Sequence, residues 1–247
     1  MRNIKLTLSY DGSEFSGWQT QPRARTVQAT LEDAIRQLTG AEKVCANASG
    51  RTDAGVHAVG QVVNFATESK LAPVKIMRGL NSYLPPDVVV ANAVDVDPSF
   101  DANRDAVRKL YRYVINDGPV AQVFLRKYCH QTRYRLDCPA MQRAAEPLRG
   151  RHDFRSFESN WPNRQTSVRT ITHLAVNRFA DWIWLDVEAD GFLYNMVRSI
   201  AGTLMNVGRG FWPESEVGRI LAAQDRGEAG PTAPPQGLFL MRVTYES

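Results

Sequence analysis

The chain has 247 residues, of which 43% are hydrophobic and 23% are charged, and its formal net charge is +4 at pH 7. This length and composition are sufficient for a sizeable buried core and exclude a largely disordered chain. The small basic excess is compatible with a polyanionic partner such as RNA, but it does not require one.

Cysteine and histidine spacing argues against two kinds of site. The three cysteines form no CxxC pair, and the four histidines form no HExxH or HxxxH pair, so we expect neither a disulfide framework nor a metal site. The N-terminus passes directly into a strand-like alternation, and no apolar run is long enough to span a bilayer. The sequence therefore predicts a cytoplasmic protein with no membrane contact.

The first 105 residues are predicted to mix strands with two helices. Thr26 can cap the first helix and Gly40 can end it, while Pro73 can open the second helix and Pro85 can stop it. Between the first helix and the second strand lies a loop rich in glycine and aspartate, residues 48–60. The apolar periodicities predict, in chain order, a strand at 4–10, a helix at 27–38, a strand at 61–66, a helix at 73–84 and a strand at 88–96.

The remaining residues carry a second set of elements. They are predicted as strands at 107–116 and 126–135, a helix at 138–148, a hairpin of strands at 167–177 and 182–188, a helix at 192–207, a short helix after Pro213 and a strand at 238–245. The helices are too few for a continuous βαβ alternation. We therefore predict an α+β fold of two similar halves, 1–105 and 106–247, each a mainly antiparallel sheet with helices on one face.

A basic, tyrosine-rich stretch begins the second half. Tyrosines 111, 113, 128 and 134 are interspersed among its cations, and few acids oppose them. The pattern fits a surface that binds RNA, and equally a solvated sheet face with a few core tyrosines. The basic residues are Arg104, Arg108, Lys109, Arg112, Arg126, Lys127, Arg133 and Arg135.

The segment most indicative of chemistry is Ala48–Ala58, ASGRTDAGVHA, in which two glycines bracket Arg51, Thr52 and Asp53. A glycine-rich loop of this kind can hold a strained backbone and expose an acid beside a base. Asp53 is a candidate nucleophile, general base or ligand. An aspartate that only stabilises its own turn would give the same pattern.

Six blocks of the sequence, in order, resemble the motifs of the A-type tRNA pseudouridine synthases. The second block, GRTDAGVHA, contains the Arg-Thr-Asp signature of that family, and the six together extend over nearly the whole chain. The blocks are Tyr10–Gln21, Gly50–Ala58, Arg108–Tyr113, Asp153–Phe157, Phe192–Arg198 and Gly237–Leu240.

The resemblance implies roles for four residues. It makes Asp53 the catalytic nucleophile, and it makes Tyr111 the active-site tyrosine that contacts the target uracil. It implies that Arg198 pairs with the catalytic aspartate and that Leu240 forms an apolar wall of the pocket. Arg51, which neighbours Asp53 in the sequence, is a candidate to contact the target phosphate or to fill the space that the base leaves. From the residues alone, Tyr111 and Leu240 fit ordinary core positions and Arg198 fits the polar face of a helix.

The resemblance also implies a reaction and its partners. The expected activity is isomerisation of uridine to pseudouridine at positions 38, 39 and 40 of the tRNA anticodon stem-loop. It is expected to need no cofactor or metal and to occur in a homodimer of the pseudouridine synthase fold, with the active-site cleft between the two halves. The family leaves open whether the aspartate attacks C6 of the base or acts at C1′ of the ribose.

Two other function classes fit parts of the sequence. An RNA-binding module without catalysis would explain the basic stretch but not the Arg-Thr-Asp loop. A phosphatase-like hydrolase would explain Val88–Asp97, in which Asp95 and Asp97 follow a strand. Both acids also suit turns at the end of that strand.

Overall fold

The chain folds into two compact units. The computed structural model describes residues 1–159 and 166–246. Met1–Val107 and Phe239–Ser247 form the first unit, and Arg108–Leu238 form the second. The last strand therefore belongs with the N-terminal half, whereas the predicted division grouped it with residues 106–238. Division into independently folding domains stays a prediction.

The secondary structure follows the predicted order, with differences at several elements. The strands are β1 (Arg2–Tyr10), β2 (Asn47–Ala48), β3 (His57–Thr67), β4 (Val88–Val96), β5 (Ala106–Asn116), β6 (His130–Gln131), β7 (Gly150–Asp153), β8 (Val168–Phe179), β9 (Trp182–Ala189) and β10 (Leu238–Tyr245). The helices are α1 (Val27–Thr39), α2 (Pro73–Tyr83), α3 (Cys138–Ala145), α4 (Met196–Gly208) and α5 (Glu216–Ala223).

The sheet of the first unit has the order β4-β1-β3-β10, with the short β2 added to β3. The pairs β4-β1, β1-β3 and β2-β3 are antiparallel, whereas β10 runs parallel to β3 and pairs Leu240 with Ala58. Alternate residues of β1, namely Ile4, Leu6 and Leu8, are fully buried. They give the strand the period-two pattern of a sheet with one core face.

Helix α1 begins and ends where its sequence predicts. The Thr26 hydroxyl accepts a hydrogen bond from the Ala29 amide (3.4 Å), and Gly40 ends the helix with a φ of 71°. A side chain at Gly79 of α2 would approach within 2.5 Å of Leu38. The absence of a side chain there lets α2 lie close against α1.

The second unit has a sheet of order β5-β9-β8-β7, and all three pairs are antiparallel. Helix α3 contacts both α4 and β8. Most of α4 is buried, and a side chain at Gly202 would lie 1.8 Å from the Pro231 carbonyl oxygen. The segment around residue 231 therefore packs directly on the backbone of α4. With a mainly antiparallel sheet and helices in each unit, the α+β prediction is confirmed.

Five elements differ from the sequence prediction. The strand predicted at 126–135 is wrong: only His130–Gln131 pairs, in parallel with β5. Helix α4 begins at Met196 rather than 192, because Asn195 has a φ of 62° that an α-helix cannot accommodate. Strand β3 begins at His57, four residues before its predicted start, and neither β2 nor β7 was predicted. Among the described helices, none is long and apolar enough to cross a membrane.

A buried carboxylate holds three segments of the second unit together. Asp117, whose side chain is fully buried, makes two hydrogen bonds to Arg178 (2.7 and 2.9 Å) and one to the more exposed Arg135 (3.0 Å). It also accepts the Leu136 amide (2.9 Å). Burial acts to raise the pKa of Asp117, but the hydrogen bonds from Arg178 and Leu136 and the two guanidinium charges hold it below its usual value.

We expect Asp117→Asn to lower the free energy of unfolding by about 2 kcal/mol, because Arg178 loses its carboxylate in a mostly buried position. Since the pKa of Asp117 is lower in the folded than in the unfolded chain, the carboxylate stabilises the fold above about pH 4, and this contribution is lost below that pH. Urea denaturation at pH 7 and pH 3.5 measures both effects.

The matched control is Asp181→Asn, which removes the exposed partner of Arg135. Its expected effect is under about 0.5 kcal/mol. Equal losses in the two variants, or a loss for Asp117→Asn that persists unchanged at pH 3.5, would contradict the assignment of Asp117 as the structural carboxylate.

Candidate active site

The Arg-Thr-Asp loop of the first unit ends in a tight turn. The Val56 amide donates to the Asp53 carbonyl (3.1 Å), and Gly55 has a φ of 76°. A positive φ at the third position of a turn suits glycine. Asp53 is the first residue of this turn and is half-buried. Its backbone position is therefore set by the turn and not by an extended loop.

Thr52 is held on both sides. Its hydroxyl lies 2.7 Å from the hydroxyl of Tyr10, and both side chains are buried. Its carbonyl accepts the Trp18 amide (2.9 Å). Burial raises the pKa of Tyr10 to about 12, so the phenol stays neutral at physiological pH. The residue immediately before Asp53 is thus anchored to β1 and to the opening loop, residues 11–25.

Two glycines of the opening loop let it lie against the backbone of residues 52–56. A side chain at Gly12 would meet the Val56 carbonyl oxygen at 2.0 Å. Gly17 has a φ of 88°, and a side chain there would lie 2.7 Å from the Thr52 carbonyl oxygen and 3.2 Å from the Asp53 carbonyl carbon. Only glycine fits at these two positions.

The start of β3 is fixed by His57. The Gly12 amide donates to Nδ1 of His57 (3.1 Å), and the ring stacks on Phe239 of β10 with centroids 4.7 Å apart. The next residue of β10 is Leu240, which is fully buried. Arg51 is exposed. A pocket-wall role for Leu240 stays a prediction, since core packing also accounts for its burial.

Tyr111 lies on β5 of the second unit. Its ring is 8% exposed and meets Phe192 edge-on, with centroids 5.0 Å apart at 82°. Lys109 lies two residues before it and so on the same face of the strand. Burial, reinforced by the positive charge of Arg169, lowers the pKa of Lys109 to about 8.

Arg198 lies in the first turn of α4 and is held by two hydrogen bonds. Its Nε donates to the Ala233 carbonyl (2.7 Å) and its Nη1 donates to the Asn195 side-chain oxygen (2.7 Å). The Arg198 carbonyl in turn accepts the Ala233 amide (3.1 Å). Asn195 reaches this position because of its left-handed φ. These bonds fix the plane of the guanidinium, which a solvated surface arginine would not require.

The predicted site residues fall into two groups. Arg51, Asp53 and Leu240 lie in the first unit, and Tyr111 and Arg198 lie in the second. Sequence reasoning gave no role to the residues that support them: Thr52, Gly17, Phe192 and Asn195. Only Gly17 offered a signal, since a glycine in a polar loop suggests positive φ or a close backbone approach.

Comparison with known proteins identifies the family. A family model described as tRNA pseudouridine synthase matches residues 7–103 and 144–246. A protein named tRNA pseudouridine synthase A from Thermoanaerobacter sp. (strain X514) is 45% identical over 245 residues, which cover 99% of this chain and 100% of that protein. The protein of the same name from Brevibacillus brevis (strain 47) is 46% identical, with the same coverage.

This chain belongs to the tRNA pseudouridine synthase family. The resemblance drawn from the six sequence blocks is confirmed, and with it the pseudouridine synthase fold. The family model also matches the segments that hold Asp53, Arg198 and Leu240. Tyr111 lies in the interval between the two matched ranges, while the relatives align over nearly the whole chain.

The structure gives the acids of the phosphatase-like segment ordinary roles. Asp95 is bound by the guanidinium of Arg2 through two hydrogen bonds (2.7 and 2.6 Å). Asp97 accepts both the hydroxyl (2.7 Å) and the amide (2.8 Å) of Ser99, and these hydrogen bonds lower its pKa. An ion pair and an Asx turn account for both residues.

We expect Gly17→Ala to lower kcat of this tRNA pseudouridine synthase by about 10²-fold or more. The added methyl group would push on the backbone of Thr52 and Asp53, and displacement of a reacting group by about 1 Å has an effect of that size. Turnover of a tRNA substrate and thermal denaturation of both proteins give the measurement.

Gly40→Ala is the matched control. Gly40 also has a positive φ (71°), but no atom lies within 4 Å of the position its side chain would take. We expect it to cost about 1 kcal/mol of stability without changing kcat. Similar kcat values for the two variants would show that the contact of Gly17 with residues 52–53 does not position the reacting group.

Proposed function

We propose that this chain isomerises uridine to pseudouridine at positions 38, 39 and 40 of the tRNA anticodon stem-loop, with Asp53 as the nucleophile. The observation that carries the proposal is the anchoring of the Arg-Thr-Asp loop. Tyr10 binds the Thr52 hydroxyl, while Trp18 and Gly17 lie against the loop backbone, and a surface turn requires none of these contacts. That anchoring supports a carboxylate whose exact position matters, in a chain whose family acts on uridine in tRNA.

The reaction sets the demands on the residues. The N1–C1′ bond breaks, the uracil turns, a C5–C1′ bond forms, and the hydrogen lost from C5 is balanced by one gained at N1. No electrons are gained or lost overall, and no group leaves. The proposed roles therefore fall to the chain's own side chains: an ionised nucleophile, a group that keeps it ionised, and a group that handles the C5 proton. Asp53 acts either at C6 of the base or at C1′ of the ribose.

Arg198 is proposed to keep Asp53 ionised and oriented. A carboxylate in a closed pocket tends to take up a proton through desolvation, and a nearby guanidinium opposes that. The bonds of Arg198 to Ala233 and Asn195 support this role, because they orient a bidentate donor before substrate arrives.

Tyr111 and Arg51 are proposed to contact the target nucleotide. The Tyr111 ring stacks on the flipped uracil, and its hydroxyl assists removal of the C5 proton. Arg51, exposed beside Asp53, contacts the phosphate of the target nucleotide or fills the space that the base leaves. Flipping a base from a stem costs about a few kcal/mol, which such contacts offset.

The proposal extends to partners and location. We infer a homodimer in the cytoplasm that binds folded tRNA chiefly through phosphate contacts and shape. The resemblance to the family supports the dimer, and the basic stretch of the second unit supports the phosphate contacts.

Release of tritium from tRNA carrying 5-tritiated uridine tests the nucleophile. We expect release with the wild type and none with Asp53→Asn, at unchanged tRNA affinity, because the amide cannot act as a nucleophile. Asp33→Asn is the control, since it removes an exposed acid of α1 that pairs with Arg36. Binding of tRNA without release by folded wild-type protein would instead support an RNA-binding module without catalysis.

Tyr111→Phe separates the two proposed functions of that side chain. The ring and its contact with Phe192 survive the change, whereas the hydroxyl is lost. We expect kcat to fall by about 10²-fold or more with KM within twofold, because a positioned acid or base contributes about that factor. An unchanged kcat, with a loss only in Tyr111→Leu, would restrict Tyr111 to stacking.

A further inference from the structure

Two exposed aromatic rings flank one exposed guanidinium on the second unit. Cζ of Arg209 lies 5.4 Å from the ring centroid of Tyr134 and 4.7 Å from that of Phe211. Tyr134 is 56% exposed and Phe211 is 63% exposed. We call these three side chains the Arg209 cluster. None of them belongs to the six blocks that carry the family resemblance.

Backbone hydrogen bonds fix the two segments that carry the Arg209 cluster. At the C-terminus of α4, Gly210 has a φ of 70° and donates its amide to Val207 (2.8 Å), while the Phe211 amide donates to the Asn206 carbonyl (2.9 Å). The Asp137 amide donates to Gly208 (2.7 Å), which ties the segment bearing Tyr134 to the same helix end. The two rings are therefore presented from fixed positions.

Structural roles account for only part of the Arg209 cluster. A cation at the C-terminus of a helix interacts favourably with the helix dipole, and this explains Arg209. The helix dipole does not explain the two exposed aromatic rings, since ring surface that stays in water adds no hydrophobic stabilisation to the fold. Trp212 packs behind Phe211, with centroids 5.9 Å apart, and is itself only half-buried.

The chemistry of the Arg209 cluster suits a nucleotide. Exposed rings and guanidinium planes accept stacked bases, and a guanidinium also binds phosphate. Arg133, next to Tyr134, is a further exposed cation. A second copy of this chain is a poorer fit, because a two-fold contact across this patch would bring Arg209 and Arg133 against their own copies.

We propose that the Arg209 cluster binds an unstacked nucleotide of the RNA substrate, in addition to the reacting uridine. The base stacks on Tyr134 or Phe211, and its phosphate contacts Arg209 and Arg133. This proposal rests on the proposed function for the identity of the RNA, but its test does not depend on catalysis.

The test measures Kd for a full-length tRNA transcript by filter binding, with every change made in an Asp53→Asn background so that no turnover occurs. We expect Tyr134→Leu with Phe211→Leu to raise Kd by about fivefold or more, the lower end of what stacking of one base contributes. Arg209→Gln is expected to reduce the slope of log Kd against log salt concentration by about one.

Two matched controls accompany these variants. Tyr83→Leu removes an exposed ring of the first unit, and Arg219→Gln removes one positive charge that Glu216 and Glu228 already pair with. Both should leave Kd within twofold and the salt slope unchanged. Sedimentation of each variant reports its oligomeric state.

The outcomes separate the inference from the proposed function. Weaker tRNA binding in the ring variant, with both controls unchanged, supports the Arg209 cluster as an RNA contact even if tritium release assigns another nucleophile. An unchanged Kd in folded ring and Arg209 variants overturns it. A change in oligomeric state at constant Kd also overturns it, and assigns the patch to a second copy of the chain.

Discussion

The contact between the opening loop and the backbone of residues 52–56 is the constraint on which the candidate site depends. Gly12 and Gly17 allow it, because no larger residue could let the two segments approach so closely. The carbonyl oxygens of Gly17 and Trp18 in turn accept the amides of Val27 and Gln28, which lie in the first turn of α1 and have no partner within the helix. The loop thus caps helix α1 through these carbonyl groups and also packs against the turn that bears Asp53.

In the second unit, the segment at residues 233–237 holds the proposed site residue Arg198 and the neighbouring Tyr113. Arg198 binds Ala233, the Tyr113 hydroxyl donates to the next carbonyl, Pro234 (2.8 Å), and Gly237 lies against the ring of Tyr113. Burial raises the pKa of Tyr113 well above its usual value, with the charge of Arg198 acting in the opposite direction. The segment after α5 has little regular structure. Its backbone carbonyls at Ala233 and Pro234 nevertheless accept hydrogen bonds from side chains of the second unit. Side chains, and not a helix or a sheet, supply the hydrogen-bond partners of these backbone groups.

The sequence was informative wherever a local rule decides the structure. Thr26 and Gly40 bound α1 because capping and left-handed termination depend only on neighbouring residues. The alternation of apolar and polar residues likewise predicts strand β1 correctly. Segment 126–135 shows the opposite case, because its mixture of polar and aromatic residues resembles a strand although only two of them find a pairing partner. Strand pairing depends on residues distant in the chain, and the periodicity of a single segment does not reveal them.

The site shows the same division between local and tertiary information. The Arg-Thr-Asp signature identified Asp53, but nothing in the sequence indicated that Thr52 would bind Tyr10, forty-two positions away in the chain. Asn195 falls inside the helix predicted at 192–207, because the apolar periodicity that predicts this helix gives no sign of a left-handed residue. Its side chain accepts a hydrogen bond from Arg198, so the departure from helix geometry is what orients that arginine.

The placement of β10 in the first unit has a consequence for biosynthesis. Phe239 and Leu240 leave the ribosome only after the entire second unit has been made, although they pair with His57 and Ala58. During translation, the N-terminal sheet therefore exposes the edge of β3 at His57 and Ala58, and His57 lacks its stacking ring. The first unit can close only after Phe239 and Leu240 have been made, which links completion of the loop bearing Asp53 to prior synthesis of the second unit.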